Sequence, residues 1–175
     1  MDEHQIEEFK ELKDCAVVKF PIVDFGSGSK ISQLYDNVKL LVFATEPWKL
    51  VGTQAIAINE KIMYALVKCS YKSDASEREP EYLIMAEKRI GEFLARGSSF
   101  YVTPGGRKES IELKTLMLMQ GEQLKNMVVR NPLVPTNDFI PTVVYNKVTS
   151  SYGTGLNPVI PGHDVESLKI ASNYP

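Results

Sequence analysis

Apolar residues recur along this chain in short runs that predict alternating strands and helices. Residues 16–20 and 22–25 are typical of strands, and Pro21 between them confines that stretch to an edge or a bend. Residues 37–45 hold a nearly continuous apolar run, which predicts a strand that is buried on both faces. From residue 53 to residue 68 the apolar spacing favours a helix, although its β-branched residues leave a strand open for the second half.

A capping pattern marks a second predicted helix. Ser76 is followed three residues later by Glu79, and the apolar positions from Leu83 to Leu94 then lie on one helical face. Gly97 is a suitable left-handed residue at the end of that run. We therefore predict a helix that begins near residue 77 and ends before Gly97.

The next segments predict a hairpin and a short helix. Residues 100–102 and 110–119 alternate as strands around the turn at residues 104–106, and residues 121–130 suit a short helix. The combined pattern predicts an α+β fold. We expect a single compact domain with a mixed or antiparallel sheet, two or three flanking helices, and extended N- and C-terminal segments.

Charge and proline content divide the chain into three parts. Residues 1–14 carry a net charge of −4, residues 15–130 carry +3, and residues 131–175 carry −1. Six of the ten prolines fall in the last part, which argues against a long helix there. We predict an acidic N-terminal segment at 1–14, a globular domain at 15–130 and a Pro-rich extended C-terminal tail at 131–175.

Composition excludes several classes of protein. With 175 residues, of which 43% are hydrophobic and 24% charged, the chain can bury the core of one domain. Its net charge of −2 provides no global attraction to nucleic acid or anionic lipid. Its longest apolar runs are far shorter than a membrane span, and its acidic start does not fit a signal peptide. Two cysteines and two distant histidines predict neither a metal site nor a cofactor.

Candidate catalytic motifs are weak, so the expectation is a non-enzymatic protein. The sequence lacks the spacings of a serine hydrolase elbow, a zinc protease helix, a phosphate loop and a dinucleotide fold. Gly105 and Gly106 precede Arg107 and Lys108, which form a candidate basic patch for an anion or, alternatively, an ordinary solvated turn. Cys69 has no local motif that would pair it with a histidine.

Two apolar features point to contacts with other molecules. Residues 139–145 are an apolar stretch in a tail that either wraps its own domain or docks on a second copy. The candidate self-association residues are Phe139, Ile140, Val143, Val144 and Tyr145. Pro47, Trp48 and Lys49 form a candidate surface or membrane anchor, with a core tryptophan as the alternative.

Two segments carry a resemblance to a viral family. Residues 39–49 resemble the strand of rhabdovirus matrix proteins that ends in a proline, an aromatic and a basic residue before the first helix. Residues 109–116 are similar to a late strand of the same fold, and the size matches plant-infecting, cytorhabdovirus-like members. Separately, Phe20, Pro21, Ile22 and Val23 look like the late-budding motif of some paramyxovirus matrix proteins.

The resemblance implies a structural role in a virus. It implies a matrix protein that self-associates as a homo-oligomer or lattice and links the helical nucleocapsid to the envelope during assembly and budding. The implied partners are the nucleoprotein-RNA nucleocapsid, the inner face of the envelope membrane and the envelope glycoprotein tail, without sequence-specific nucleic-acid binding. The implied location is the virion, beneath the envelope, and the host cell cytoplasm. The alternative is a small non-enzymatic adaptor or host-factor-binding module that uses residues 20–23 as its ligand.

Overall fold

The structure is a computed structural model that describes residues 15–26, 30–72, 79–100, 110–136 and 138–174. Strands predominate in these ranges. The elements in chain order are β1 Ala16–Asp24, α1 Lys30–Leu34, β2 Val38–Ala44, β3 Ala55–Ile58, β4 Met63–Lys72, β5 Glu81–Ala86, α2 Ile90–Phe100, β6 Ser110–Gln120, β7 Val128–Arg130, β8 Phe139–Val144, β9 Asn157–Val159 and α3 Val165–Ser172. Short 3-10 helices occupy Pro47–Gly52, Glu87–Arg89 and Gly121–Leu124.

The strands of the described residues form one mixed sheet of nine in the order β6-β4-β5-β2-β1-β7-β8-β3-β9. Two pairs are parallel, β2 with β5 and β3 with β8, and the remaining pairs are antiparallel. The predicted combination of a mixed sheet with a few helices is therefore confirmed in outline. The sheet is larger than the pattern of the sequence indicated, and the three α-helices of the described residues lie mostly at other positions than the predicted ones.

The core lies on both faces of the central strands. In β2, Leu40 and Val42 contribute to one buried cluster and Leu41 contributes to the other, which confirms the prediction of a strand buried on both faces. The second cluster also contains Phe93 of α2, the helix that packs against β6. Side chains alternate across a strand, so one run of apolar residues supplies both clusters.

The predicted helix at residues 53–68 is wrong. The segment forms β3, a turn and the first part of β4, so only the alternative of a strand in its second half is confirmed. β4 is hydrogen-bonded on both sides, with Val67 opposite Leu83 of β5 and Thr115 of β6. Long-range pairing therefore overrides a local spacing that also suits a helix.

The second predicted helix is misplaced for the same reason. Leu83 lies in β5, between β4 and the parallel strand β2, and the helix α2 begins only at Ile90. Ser76 of the capping pattern lies outside the described residues. Burial between two paired strands stabilises this segment as a strand by more than a capped first turn would stabilise it as a helix.

The hairpin and the short helix after it are only partly correct. Residues 110–119 do form a strand, β6, but its partner is β4, and Phe100 belongs to α2. Residues 101–109 lie outside the described residues. Residues 121–130 form a 3-10 turn followed by β7 instead of a helix.

The C-terminal part of the described chain is not an extended tail. It contributes β8 and β9 to the sheet, and α3 packs against β9. β7 and β8 are hydrogen-bonded neighbours on either side of residue 131. The division of the chain at that residue stays a prediction about independent folding units.

Candidate functional site

Two adjoining cavities share an aromatic wall. Phe43 at the end of β2 and Tyr152 in the loop before β9 line both cavities, with their rings edge to face and 5.4 Å between centroids. The large cavity has a volume of about 400 Å³ and the small cavity about 200 Å³. The large cavity is lined by Val17, Phe43, Met85, Arg89, Glu92, Phe93, Ser151, Tyr152, Gly153 and Thr154. The small cavity is lined by Phe43, Ala44, Thr45, Glu46, Lys49, Tyr152, Asn157, Pro158, Ile160, His163 and Asp164.

The small cavity gathers polar groups from two distant parts of the chain. One group comes from the end of β2 and the 3-10 helix Pro47–Gly52, which we call the rim helix, and the other from β9 and the turn before α3. These segments meet because β9 pairs antiparallel with β3, the strand that follows the rim helix. Glu46 and Lys49 form an ion pair of 2.5 Å between Oε2 and Nζ on the first side. His163 and Asp164 supply an imidazole and a second carboxylate on the other.

Hydrogen bonds to the backbone carbonyl of Leu50 fix the rim helix to the rest of the domain. The side chain of Leu50 is fully buried, and its carbonyl oxygen accepts three hydrogen bonds. The donors are the backbone N–H of Thr53 at 3.2 Å, the hydroxyl of Thr53 at 2.7 Å and Nδ2 of the buried Asn131 at 3.0 Å. The position of the residues that line the small cavity therefore depends on a side chain more than eighty residues away.

The other side of the small cavity is organised by the start of α3. Oδ1 of Asp164 accepts a hydrogen bond of 2.6 Å from the backbone N–H of Ser167, which makes Asp164 the N-cap of the helix. The backbone N–H of His163 donates to the carbonyl of Ile160 at 3.0 Å. One carboxylate oxygen of Asp164 thus has a structural partner, and the residue still lines the cavity.

The loop that carries Tyr152 is fixed by groups around the large cavity. Arg89 donates from Nε to the carbonyl of Gly153 at 2.8 Å and from Nη1 to that of Ser151 at 3.2 Å. Gly153 has a φ of 57°, and a Cβ at that position would lie 2.7 Å from the ring of Phe43. Only a glycine therefore lets this loop pass so close to the aromatic wall.

Tyr64 ties the same loop to the core. Its hydroxyl donates to the carbonyl of Gly155 at 2.8 Å and accepts a hydrogen bond from the backbone N–H of Asn59 at 3.2 Å. Burial raises the pKa of Tyr64 to about 12, against the opposing effect of the Asn59 hydrogen bond. The hydroxyl is therefore neutral and serves as a structural link.

Among the predicted site residues that lie in the described ranges, only Lys49 lines one of the two cavities. Lys49 lines the small cavity, and Trp48 stands 67% exposed on the rim helix. His163 and Asp164 were not among the predicted site residues, although an aspartate three residues before Ser167 is a recognisable helix-capping signal. Phe43 and Tyr152 have no local signal, because their contact joins residues far apart in the chain.

The other predicted site residues lie elsewhere. Phe139, Ile140, Val143 and Val144 belong to β8, and Tyr145 follows it. The side chains of Ile140 and Val143 are buried in the core of their own chain, whereas Phe139 is 60% exposed. The use of this strand for self-association stays a prediction.

The four residues that resemble a late-budding motif lie within β1. Phe20 and Ile22 are buried, which leaves Val23 as the exposed apolar member of the four, beside the half-buried Pro21. Arg107 and Lys108, the predicted basic patch, lie outside the described residues. Cys69 is buried in β4.

The described residues offer no metal centre. Within them, no group of three or more His, Cys, Asp or Glu side chains is arranged to hold an ion. None of the helices in the same ranges combines the length and the apolar character that crossing a membrane requires.

Known proteins with similar sequences are tRNA ligases. The chain is 25% identical over 174 residues to the isoleucine-tRNA ligase of Psychrobacter arcticus, a match that covers 98% of this chain and 16% of that protein. It is 28% identical over 160 residues to the mitochondrial isoleucine-tRNA ligase of Macaca fascicularis, covering 90% of this chain and 14% of that protein. The chain thus spans about one sixth of the length of these relatives. No protein-family model matches it.

Solved structures with the same fold are synthetase editing domains. The crystal structure of GlLeuRS-CP1 superposes with a TM-score of 0.67 at 17% identity, covering 91% of this chain and 59% of that one. The editing domain of the Plasmodium falciparum cytosolic leucyl-tRNA synthetase superposes with a TM-score of 0.64 at 10% identity, covering 88% and 63%. The chain therefore has the fold of these domains, and the identity is too low to show more than the fold.

These findings overturn the resemblance to rhabdovirus matrix proteins. The similar sequences are tRNA ligases and the similar structures are editing domains, so the matrix function, the roles in assembly and budding and the adaptor alternative are not supported. A nucleocapsid, an envelope membrane and an envelope glycoprotein as partners fail on the same ground, as does a location in the virion. The expectation of a non-enzymatic protein is contradicted too, because the relatives are enzymes by name.

Proposed function

We propose that this chain is an aminoacyl-tRNA editing domain, which binds the acylated 3′ end of a tRNA and hydrolyses the ester that joins the amino acid to the RNA. The single observation that carries the proposal is the small cavity at the end of β2, which is lined by Glu46, His163 and Asp164, in a chain with the fold of synthetase editing domains. Editing sites discriminate by size, because they hydrolyse products that are small enough to enter. A cavity of about 200 Å³ suits an amino-acid side chain.

The two cavities suit the two halves of such a substrate. The aminoacyl group would occupy the small cavity, where the carboxylates of Glu46 and Asp164 can attract its α-ammonium group. The terminal nucleoside would occupy the large cavity of about 400 Å³, which has apolar walls and the polar groups of Arg89 and Thr154. Phe43 would then lie near the bond that is cut.

The proposed reaction needs a water molecule and a proton acceptor. Water attacks the acyl carbon, the bond to the ribose oxygen breaks, and the products are the free amino acid and a tRNA whose ribose oxygen has taken up a proton. Histidine is the side chain that most often accepts a proton in enzymes, and His163 lines the small cavity. We assign this role to His163.

Deacylation of a charged tRNA tests the proposal. The names of the relatives favour a tRNA that accepts isoleucine, so the 175-residue chain is incubated with that tRNA carrying labelled valine or isoleucine. We expect faster loss of valine, whose side chain is one methylene smaller. The substitution His163→Ala should reduce kcat by about 100-fold or more, which is a typical contribution of a general base.

A control variant isolates the site. Glu122→Gln removes an exposed carboxylate that lines neither cavity, and it should leave the deacylation rate unchanged. If the wild-type chain releases neither amino acid faster than buffer does, the proposed hydrolysis is wrong. If His163→Ala hydrolyses as fast as the wild type, the assignment of the proton acceptor is wrong.

A further inference from the structure

Trp48 is a large aromatic side chain left in solvent next to the small cavity. It is the single tryptophan of the chain, and 67% of its surface is exposed. An indole normally contributes to a core or to an interface, because burying its large apolar surface is strongly favourable. A tryptophan held in solvent on an ordered element is therefore a candidate contact for another molecule.

The backbone beneath the indole is pre-organised. Leu50, two residues further along the rim helix, is buried, and its carbonyl accepts hydrogen bonds from the side chains of Thr53 and Asn131. The backbone N–H of Lys49 donates to the carbonyl of Glu46 at 3.0 Å. A flat ring on a fixed backbone loses little conformational entropy when a second flat ring stacks on it.

The position of Trp48 relates it to the substrate of the proposed function. Glu46 and Lys49, which lie on either side of it in the sequence, both line the small cavity, so Trp48 belongs to the helix that forms one side of that cavity. A tRNA that delivers its acylated end there must pass its last unpaired nucleotides over the rim. On such a path the nucleotides next to the reacting end would come within reach of Trp48.

Charge argues for a base and against a phosphate as the group that Trp48 contacts. The chain has a net charge of −2, and the nearby ammonium of Lys49 already pairs with Glu46. The usual attraction between lysines and the RNA backbone is therefore weak at this rim. Stacking of a base on an aromatic ring contributes about 1–3 kcal/mol without a net charge on the protein.

We propose that Trp48 is a stacking platform for an unpaired base near the 3′ end of the RNA, which holds the strand while its acylated terminus enters the small cavity. The inference rests on the proposed function, and it adds a binding contact outside the two cavities. It also gives a role to the residue that the sequence analysis marked as a surface anchor, with RNA in place of a membrane.

Tryptophan fluorescence provides a direct test, because the signal comes from Trp48 alone. The full chain is titrated with a short single-stranded RNA whose sequence matches the 3′ end of the tRNA, and with the same RNA annealed into a blunt duplex. We expect saturable quenching by the single strand and none by the duplex. Quenching that is absent or equal for both RNAs would overturn the proposal. So would an emission shift caused by anionic lipid vesicles in the absence of quenching by RNA.

Variants separate stacking from general binding. Trp48→Ala should weaken binding of a labelled RNA about 5- to 150-fold, the equivalent of ~1–3 kcal/mol, whereas Trp48→Phe should retain most of the affinity. Val51→Ala, at a position 56% exposed on the same helix, is the matched control and should bind as the wild type does. Equal loss in the Phe and Ala variants of Trp48 would refute stacking.

The kinetics of deacylation distinguish this inference from the proposed function. Trp48→Ala should raise KM by a similar factor and leave kcat at saturating tRNA nearly unchanged, because the ring does not contact the reacting atoms. Unchanged KM in a variant that still hydrolyses would overturn the stacking role and leave the proposed function standing. Quenching by RNA in a wild-type chain that hydrolyses nothing would refute the proposed function and support the stacking contact.

Discussion

Replacing Glu81 with glutamine should make the free energy of unfolding of this protein lower at pH 7 and less dependent on pH below about 4.5. Glu81 begins β5 and is a partner of two lysines from neighbouring strands, Lys19 of β1 and Lys39 of β2, and of the hydroxyl of Tyr71 in β4. Its side chain is only 15% exposed. The cluster thus joins four adjacent strands of the sheet through one carboxylate.

The pKa of Glu81 sets the size of the effect. Burial by itself would raise this pKa, but the hydrogen bonds from Lys19, Lys39 and Tyr71 outweigh it and lower the value from 4.5 to about 2. That difference corresponds to about 3 kcal/mol in the free energy of unfolding. Because the two lysines are 22% and 24% exposed, solvent screening lowers the expected contribution to about 2 kcal/mol.

The direction of the pH dependence follows from the lowered pKa. The ionised carboxylate stabilises the fold fully above about pH 4.5, and this contribution is lost as the pH falls from there to about 2. Urea unfolding of the wild type and of Glu81→Gln should therefore differ by about 2 kcal/mol at pH 7 and converge at the acid end of that range. A difference that stays constant from pH 7 to pH 2.5 would refute the role of the ionised carboxylate.

Three further substitutions test how the candidate site is supported. Gly153→Ala places a methyl group against Phe43 at a positive φ, so it should lower stability by about 1–3 kcal/mol in urea unfolding and slow deacylation; a variant as stable as the wild type would contradict the close packing. Asn131→Ala removes the hydrogen bond to the carbonyl of Leu50, so it should lower the free energy of unfolding by about 1–2 kcal/mol and raise the KM of deacylation. A loss of stability with an unchanged KM would limit the role of Asn131 to the core. Tyr64→Phe should cost about 1–3 kcal/mol by calorimetry, and an unchanged Tm would contradict its link to the loop before β9.

The candidate site was the part of the molecule least accessible to sequence reasoning. The aromatic wall joins Phe43 to Tyr152, and the small cavity joins Glu46 to His163. No periodicity connects positions more than one hundred residues apart. The signals that did exist were local ones, the helix-capping aspartate Asp164 and the segment of Pro47, Trp48 and Lys49, and neither identifies a cavity by itself.

The sequence alone determined the features that depend on neighbouring residues. The apolar run at residues 38–44 specifies a strand buried on both faces, and the alternation at residues 110–119 specifies a strand, because side chains project to opposite faces with a period of two. Residues 53–68 and the stretch around Leu83 have a spacing that suits either a helix or a strand. There the tertiary structure decided between helix and strand, because pairing of β4 with β5 and β6, and of β5 with β2, stabilises the strand. Long-range pairing also placed β9 beside β3 and thereby brought together the two sides of the small cavity, which no local pattern encodes.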